Sequence, residues 1–393
     1  MYNIANHYEN IYEYLKTIIT DPRLLYLYPF GSTQPENIEI LRNDIDPPVR
    51  RGPLFIFYDQ EPLNFSYNQP FFDYIIENTK GPYVLVHTER TSEEVDRICD
   101  HYGFAKLEYF FHIFAAADWY RGHEYLPGIV APENRKLSKS YITFNRLTSN
   151  ERIYRSLFVN ELYKADLLES GHVSFSKDCP DGGRFDINLL AGIENQGLDS
   201  LLVKDAITNI NQLPELRIDF PDQHIPNQSM LLSPLQQLME SFIFVVTETC
   251  YWQNKTHLTE KIFKPIVLRM PFVLVGCTNN LEYLRSYGFK TFGNYWDESY
   301  DSIEDPILRM QAVAAILKQL SNMTADEQYR MLLDMQPILE HNYNLFNDPA
   351  FVRKEWDHLL SQLNSISAYY KFEPPYTLDL KTGQAIPKVL QDA

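Results

Sequence analysis

The sequence predicts an α/β protein built as two domains that face a cleft, and three observations carry this. Short β-branched and aromatic runs alternate with helical periodicities. The chain has 393 residues, more than one ordinary core holds. One stretch rich in proline, glycine and charge, PGIVAPENRKLSKS (127–140), interrupts the pattern and is read as the domain boundary.

Taken in order, LFIFYD (54–59) and YVLVHTE (83–89) read as buried strands ending on charged residues. Between them NQPFFDYIIENT reads as helix, and SEEVDRICDHYGF (92–104) places Val95, Ile98, Cys99 and Tyr102 at helical spacing behind a serine cap. After the boundary a second series begins: strand SYITFNR (140–146), an amphipathic helix over 150–169, strand HVSFS (172–176), and further buried strands FIFVVTET (242–249) and PFVLVG (271–276). Residues 180–235 have few clear periods and read as mixed loop and helix, whereas from 305 onward PILRMQAVAAILKQLSNM, ADEQYRMLLDMQPILEHNYNLF and AFVRKEWDHLLSQLNSI read as helical. The domains are therefore drawn as 1–135 and 136–347. The tail 348–393 is expected to cross back onto the first.

Hydrophobic residues make up 45% and charged residues 22%, which is globular composition without a low-complexity tract. The opening segment lacks the basic stretch of a signal peptide, and no apolar run reaches the ~18–20 residues that span a bilayer. Cys99, Cys179, Cys250 and Cys277 are far apart with no C-x-x-C pair, which reads as free thiols in a reducing cytoplasm and not as a metal site. A net charge of −17 disfavours a long nucleic-acid footprint. Yet Arg135, Lys136, Lys139, Arg146, Arg152, Arg155 and Lys164 crowd one segment with only Glu151 and Glu161 against them, so a local anion site survives.

Three places carry candidate chemistry. In HLTEKIFKPIVLRMPFVLVG (257–276), Glu260 and Lys261 follow Thr259 at the start of an apolar run. A helix mouth there, at the carboxyl edge of a sheet, would hold a diphosphate with Lys261 adding a full charge and Glu260 accepting from a ribose diol; the alternative is a capping carboxylate beside a solvated lysine. Pro265 implies either a bend or a later helix start. In NRLTSNERIYR, Arg146 ends a strand while Arg152 and Arg155 share a helical turn, a set that grips phosphate or else makes surface ion pairs. In FYDQEPLNF (57–65), Asp59 and Glu61 end a strand, where a carboxylate can act as general base or simply shape a turn. No G-x-G-x-x-G, Walker or hydrolase-elbow motif is present.

Together these places resemble the α1,3-fucosyltransferases and related enzymes of the GT-B architecture, two Rossmann-like domains facing a cleft. FVVTETCYWQNKTHLTEKIFKPIVLRMPFVLVG is similar to that family's nucleotide-sugar unit, with Glu248 at its earlier acid and Glu260 and Lys261 at its TEK pair. YITFNRLTSNERIYRSLFVNEL resembles the strand and helix that supply its arginine, Arg155 being the better match and Arg152 the alternative. DQEPLNF is similar to the stretch that supplies its base, near Glu61. The resemblance implies an inverting, metal-independent transferase with no cofactor beyond a nucleotide sugar such as a GDP- or UDP-sugar, and a carbohydrate or other hydroxyl acceptor. Two further readings stand beside it: transfer to a hydroxymethylated DNA base, and a non-catalytic protein that binds a nucleotide or glycan.

Overall fold

The computed structural model describes residues 24–26, 53–120, 128, 130–180, 182–218, 232, 234–252, 254–370, 376–379 and 384–387. The chain divides into two compact units, Met1–Arg121 with Asn347–Ala393, and Gly122–Phe346. Both are α/β, and each is centred on a four-stranded parallel sheet.

In the first unit the strands β1 (Leu24–Tyr26), β2 (Leu54–Phe57), β3 (Tyr83–His87) and β4 (Ala105–Glu108) lie side by side in chain order. Helix α1 (Phe65–Asn78) joins β2 to β3 and α2 (Glu93–Tyr102) joins β3 to β4, while α3 (Phe111–Tyr120) follows β4. Asn64 caps α1 by accepting from Tyr67 N at 3.0 Å, and Asn68 Oδ1 returns the favour to Asn64 N at 2.8 Å. Ser92 caps α2 at Val95 N, and Gly103, with φ +68, turns the chain out so that Phe104 N reaches Cys99 O. Alternation along β2 sends Leu54 and Ile56 to one face, where they join Leu85, Phe71, Phe72, Ile75, Val95 and Ile98 in one apolar cluster.

The second unit contains β5 (Lys139–Asn145), α4 (Tyr154–Lys164), β6 (Gly171–Phe175), α5 (Phe185–Asn195), α6 (Ser200–Gln212), α7 (Leu235–Glu240) and β7 (Ser241–Thr247). It continues with α8 (Phe263–Val267), β8 (Phe272–Val275), α9 (Asn280–Ser286), α10 (Pro306–Ser321), α11 (Ala325–Asp334) and α12 (Gln336–Asn347). The sheet order is β8-β7-β5-β6. Every residue of β7 and β8 is buried, which is why these strands read as unbroken apolar runs and not as alternation. Arg135, assigned above to the end of the first domain, is buried and donates through Nη2 to Leu268 O at 2.6 Å within this unit.

Two elements differ from the expectation. The helix expected over 150–169 divides into a 3-10 turn at Asn150–Ile153 and α4, which stops at Lys164 because Asp166 takes φ +55 and Leu167 N closes back on Leu162 O. The Pro265 question resolves as a later start: a 3-10 turn, Glu260–Ile262, precedes α8, so Pro265 lies in the first helical turn, where its missing N–H leaves no interior bond unmade.

Helix α13 (Pro349–Tyr370) packs on α3 and β4 of the first unit. Trp356 meets Phe114 edge to face at 5.1 Å, Glu355 accepts from Phe110 N at 2.6 Å, and the Gln362 amide brackets the Glu108 backbone, accepting from its N–H at 3.0 Å. The four cysteines are free and buried, and among the described residues no helix is long and apolar enough to cross a membrane.

His87 and Glu108 face each other in the β3–β4 register and titrate in opposite senses. Burial, aided by the nearby Lys106, pushes the His87 imidazole down to about 3. Burial and the neighbouring Glu355 push the Glu108 carboxyl up to about 7 against the pull of Arg90. A histidine depressed on folding gives stability that is complete above 6.5 and lost as pH falls. A carboxyl raised on folding gives stability that is complete below 4.5 and lost as pH rises toward 7. The two slopes cancel between those limits. Glu108→Gln is therefore expected to uncover the histidine alone, a loss of about 1.4 kcal/mol per pH unit below pH 6.5, read from urea unfolding at several pH values.

Candidate functional site

In the second unit β5 connects to β6 on one side and the chain then crosses to β7 on the other, so the connections diverge between the carboxyl ends of β5 and β7. Open parallel sheets bind ligands in the crevice at such a point. The residues gathered there are Asn145, Arg146 and the turn to α4 from β5, with Glu248 and Thr249 just past β7.

Glu248 organises this edge. Its backbone carbonyl accepts from Tyr154 Oη at 2.5 Å and Arg155 Nη2 at 3.1 Å, and Tyr154 stacks on Tyr251 with ring centroids 4.3 Å apart. Its carboxylate has no solvent exposure: Oε2 accepts from Thr259 Oγ1 at 2.5 Å and Thr249 N at 3.3 Å, and Oε1 from Thr259 N at 3.3 Å. Burial pushes this carboxyl up, opposed by Lys261 and by the bonds from Thr259. Thr259 in turn N-caps the 3-10 turn by accepting from Lys261 N. The Lys261 ammonium donates to Thr249 Oγ1 at 3.1 Å, Thr259 Oγ1 at 3.1 Å and Glu260 Oε1 at 3.0 Å. An ammonium has three N–H donors, and all three are engaged. Glu260 is buried while Lys261 keeps partial exposure, so the pair presents its cation outward.

The arginines separate into two roles. Arg155 is buried, and its guanidinium ties the sheet edge together by donating to Leu147 O at 3.2 Å, Thr247 O at 2.9 Å and Glu248 O. Arg146 is half-buried at the end of β5 and, among the described residues, makes no hydrogen bond or ion pair. Arg152 is half-buried in the 3-10 turn. Between them lies a group that sequence reasoning missed. Asn145 Oδ1, Thr148 Oγ1, Ser149 Oγ, Arg155 Nε and Ser156 Oγ are all buried without a hydrogen-bond partner among the described residues. Buried polar atoms are rarely left so, and ordered water or a ligand normally completes them. The sequence signal was the polar run NRLTSN directly behind a buried strand.

In the first unit Asp59 and Glu61 have different surroundings. Asp59 is buried and accepts from Tyr109 Oη, whereas Glu61 is exposed in the loop between β2 and α1. Of the two carboxylates, Glu61 is the one open to solvent.

Gly276, directly after β8, allows close approach beside Glu248. A Cβ there would lie 2.8 Å from Asn280 Nδ2 and 3.4 Å from Glu248 Cβ. Asn280 brackets the His257 backbone, accepting from its N–H at 3.1 Å and donating to its carbonyl at 3.0 Å, and so fixes the approach to Thr259. Gly276→Ala is expected to destabilise by about 1–3 kcal/mol, measured by thermal unfolding, because Asn280 cannot yield without breaking that bracket.

No protein-family model, curated protein or solved structure matches the chain significantly. What the site does is argued from its own chemistry.

Proposed function

We propose that the chain is an inverting, metal-independent glycosyltransferase that moves a sugar from a nucleoside-diphosphate donor, such as a GDP- or UDP-sugar, to a hydroxyl acceptor. One observation supports this above the rest: two cations with outward access, Arg146 and Lys261, stand at the point where the strand connections of a parallel sheet diverge. Departure of a nucleoside diphosphate from an anomeric carbon builds negative charge on the phosphates, and fixed cations at that place stabilise it. In this reading Arg146 and Lys261 meet the diphosphate, with Arg152 beside them, while Arg155 and Glu248 hold the sheet edge that positions them. The orphaned hydroxyls of Thr148, Ser149 and Ser156 supply donors and acceptors for the ligand or its water. Glu260 keeps the ribose-diol role.

The reading also assigns the GT-B arrangement to the two units, with Glu61 taking the proton of the acceptor hydroxyl as it attacks the anomeric carbon from the face opposite the leaving group. One displacement then inverts the configuration.

A thermal-shift panel of GDP-, UDP-, CMP- and dTDP-sugars tests the proposal. A true donor at 100 times its dissociation constant adds ~2.7 kcal/mol of stability and raises the melting temperature. A panel in which no nucleotide sugar moves the transition sinks it.

A further inference from the structure

The Lys261 cluster contains one ammonium and two carboxylates. Glu260 bonds to the ammonium directly, and Glu248 reaches it through the Thr259 hydroxyl, in the chain Lys261 Nζ–H···Oγ1 Thr259 and Thr259 Oγ1–H···Oε2 Glu248. All three N–H donors of Lys261 are engaged, so none is left for an incoming anion, and the Glu248 carboxylate stands one hydroxyl away from the ammonium. A phosphate approaching this ammonium therefore meets donors already engaged and, behind the Thr259 hydroxyl, a buried carboxylate of its own sign.

The groups packed around the Glu248 carboxylate leave only one remedy. From the 3-10 turn it faces Thr259, Lys261 and Glu260. From α4, Tyr154 and Arg155 reach its backbone carbonyl, and the Arg155 donors with partners all go to main-chain oxygens. Beyond β8, Cys277 lies close to Tyr154 and Gly276 presses on the Glu248 Cβ. Among the described residues no cation side chain bonds to the carboxylate directly, and the group has no solvent exposure. The charge that relieves this carboxylate is a proton.

We propose that Glu248 is a positioning residue that takes up one proton from solvent when a phosphate group binds at Lys261. The added proton lies on Oε2 and reverses the short bond, so that Glu248 O–H donates to Thr259 Oγ1. That oxygen already accepts from Lys261 N at 3.4 Å and Lys261 Nζ at 3.1 Å, and it has two lone pairs. With both lone pairs already used, the incoming O–H takes the place of the Lys261 ammonium, the one donor that has the phosphate as an alternative acceptor; its released N–H turns to the phosphate, the Thr259 hydroxyl hydrogen rotates off Oε2, and the negative charge of Glu248 is neutralised. No covalent bond other than O–H changes. The upward push of burial on Glu248 acts in the same direction. This inference rests on the diphosphate site proposed above, yet it needs only phosphate at Lys261 and not sugar transfer.

The test is calorimetric titration of the full chain with inorganic pyrophosphate, from pH 5.5 to 9, in buffers of different ionisation enthalpy. The dependence of the heat on buffer gives the protons taken up. Wild type is expected to take up more protons than Glu248→Gln at some pH in this range, the excess approaching about one per ligand, and to lose affinity up to about tenfold per pH unit more steeply over that window. Pyrophosphate's own titration is common to both proteins and cancels in the difference. Thr259→Val, which removes the relay oxygen, is expected to behave like Glu248→Gln, and Thr259→Ser to restore wild-type behaviour; this pair carries the comparison if Glu248→Gln does not fold. Equal uptake in wild type and the folded variants overturns the inference, as does a complete failure of pyrophosphate to bind. Pyrophosphate binding with the expected uptake, but no shift or turnover with any nucleotide sugar, sustains the inference and defeats the transferase reading.

Discussion

Replacing Arg309 with methionine is expected to destabilise the second unit by about 3–5 kcal/mol, the largest loss from any single change near the site. The side chain is buried under the carboxyl edge of β8. It donates from Nε to Gly276 O at 3.1 Å, from Nη1 to Ile303 O at 2.5 Å and Glu304 O at 3.2 Å, and from Nη2 to Tyr251 O at 2.7 Å. Its guanidinium also lies over the Tyr251 ring at 4.6 Å. Methionine fills a similar volume and makes none of these bonds, so main-chain carbonyls from three separate loops lose their donor together. Tyr251 is the ring on which Tyr154 stacks, so the disturbance passes to the Glu248 carbonyl that Tyr154 holds. Scanning calorimetry should place the transition roughly 6–20 °C lower for a unit of this size. Amide exchange should show lost protection in β8 and the first turn of α10, with β2 and β3 of the first unit unchanged. A shift of only a degree or two would show that water replaces the guanidinium at little cost.

Much of the fold was legible because each signal was local. The strands at 54–57, 83–87, 241–247 and 272–275 are buried runs bounded by turns, and the caps at Ser92 and Thr259 are the residue types that such positions favour. Between 180 and 218, read as mixed loop and helix, α5 and α6 could not be placed because their apolar positions are split between buried Phe185, Leu189 and Val203 and exposed Ile187, Leu190 and Leu201, which blurs the helical period. The site was legible as composition and not as geometry. An acid and a base heading an apolar run, and arginines behind a strand, pointed to the carboxyl edge of the sheet. That Arg155 spends its donors on three carbonyls while Arg146 spends none follows from where α4 lies against β7, a tertiary fact that residue spacing does not contain. Likewise Glu248 and Glu260 are both acids at a strand or helix end, yet only the fold seals Glu248 completely and ties it to Thr259. The unpartnered hydroxyls of Thr148, Ser149 and Ser156 had the weakest signal, since serine and threonine in a loop are ordinary turn residues.

Under the proposed function, Lys261→Ala is expected to lower kcat/KM for donor turnover by about 10²–10³-fold, the size of effect produced by removing one preorganised group that meets transition-state charge. The same substitution strips an ammonium from Glu260 and from the Thr259 hydroxyl, so part of its effect is structural. Arg146→Ala separates the two. Arg146 makes no bond within the described residues, so its loss should leave stability within about 0.5 kcal/mol of wild type. A guanidinium that grips phosphate contributes about 1.5–3 kcal/mol, so Arg146→Ala should weaken GDP or UDP binding at least about tenfold, and added salt should narrow the gap between variant and wild type. The informative result is the combination. A folded Arg146→Ala protein with impaired nucleotide binding, beside a Lys261→Ala protein with impaired turnover, puts both cations on the leaving group. If Arg146→Ala binds nucleotide as wild type does, the anion is not held at the end of β5, and the place where the strand connections diverge is not where this protein does its chemistry.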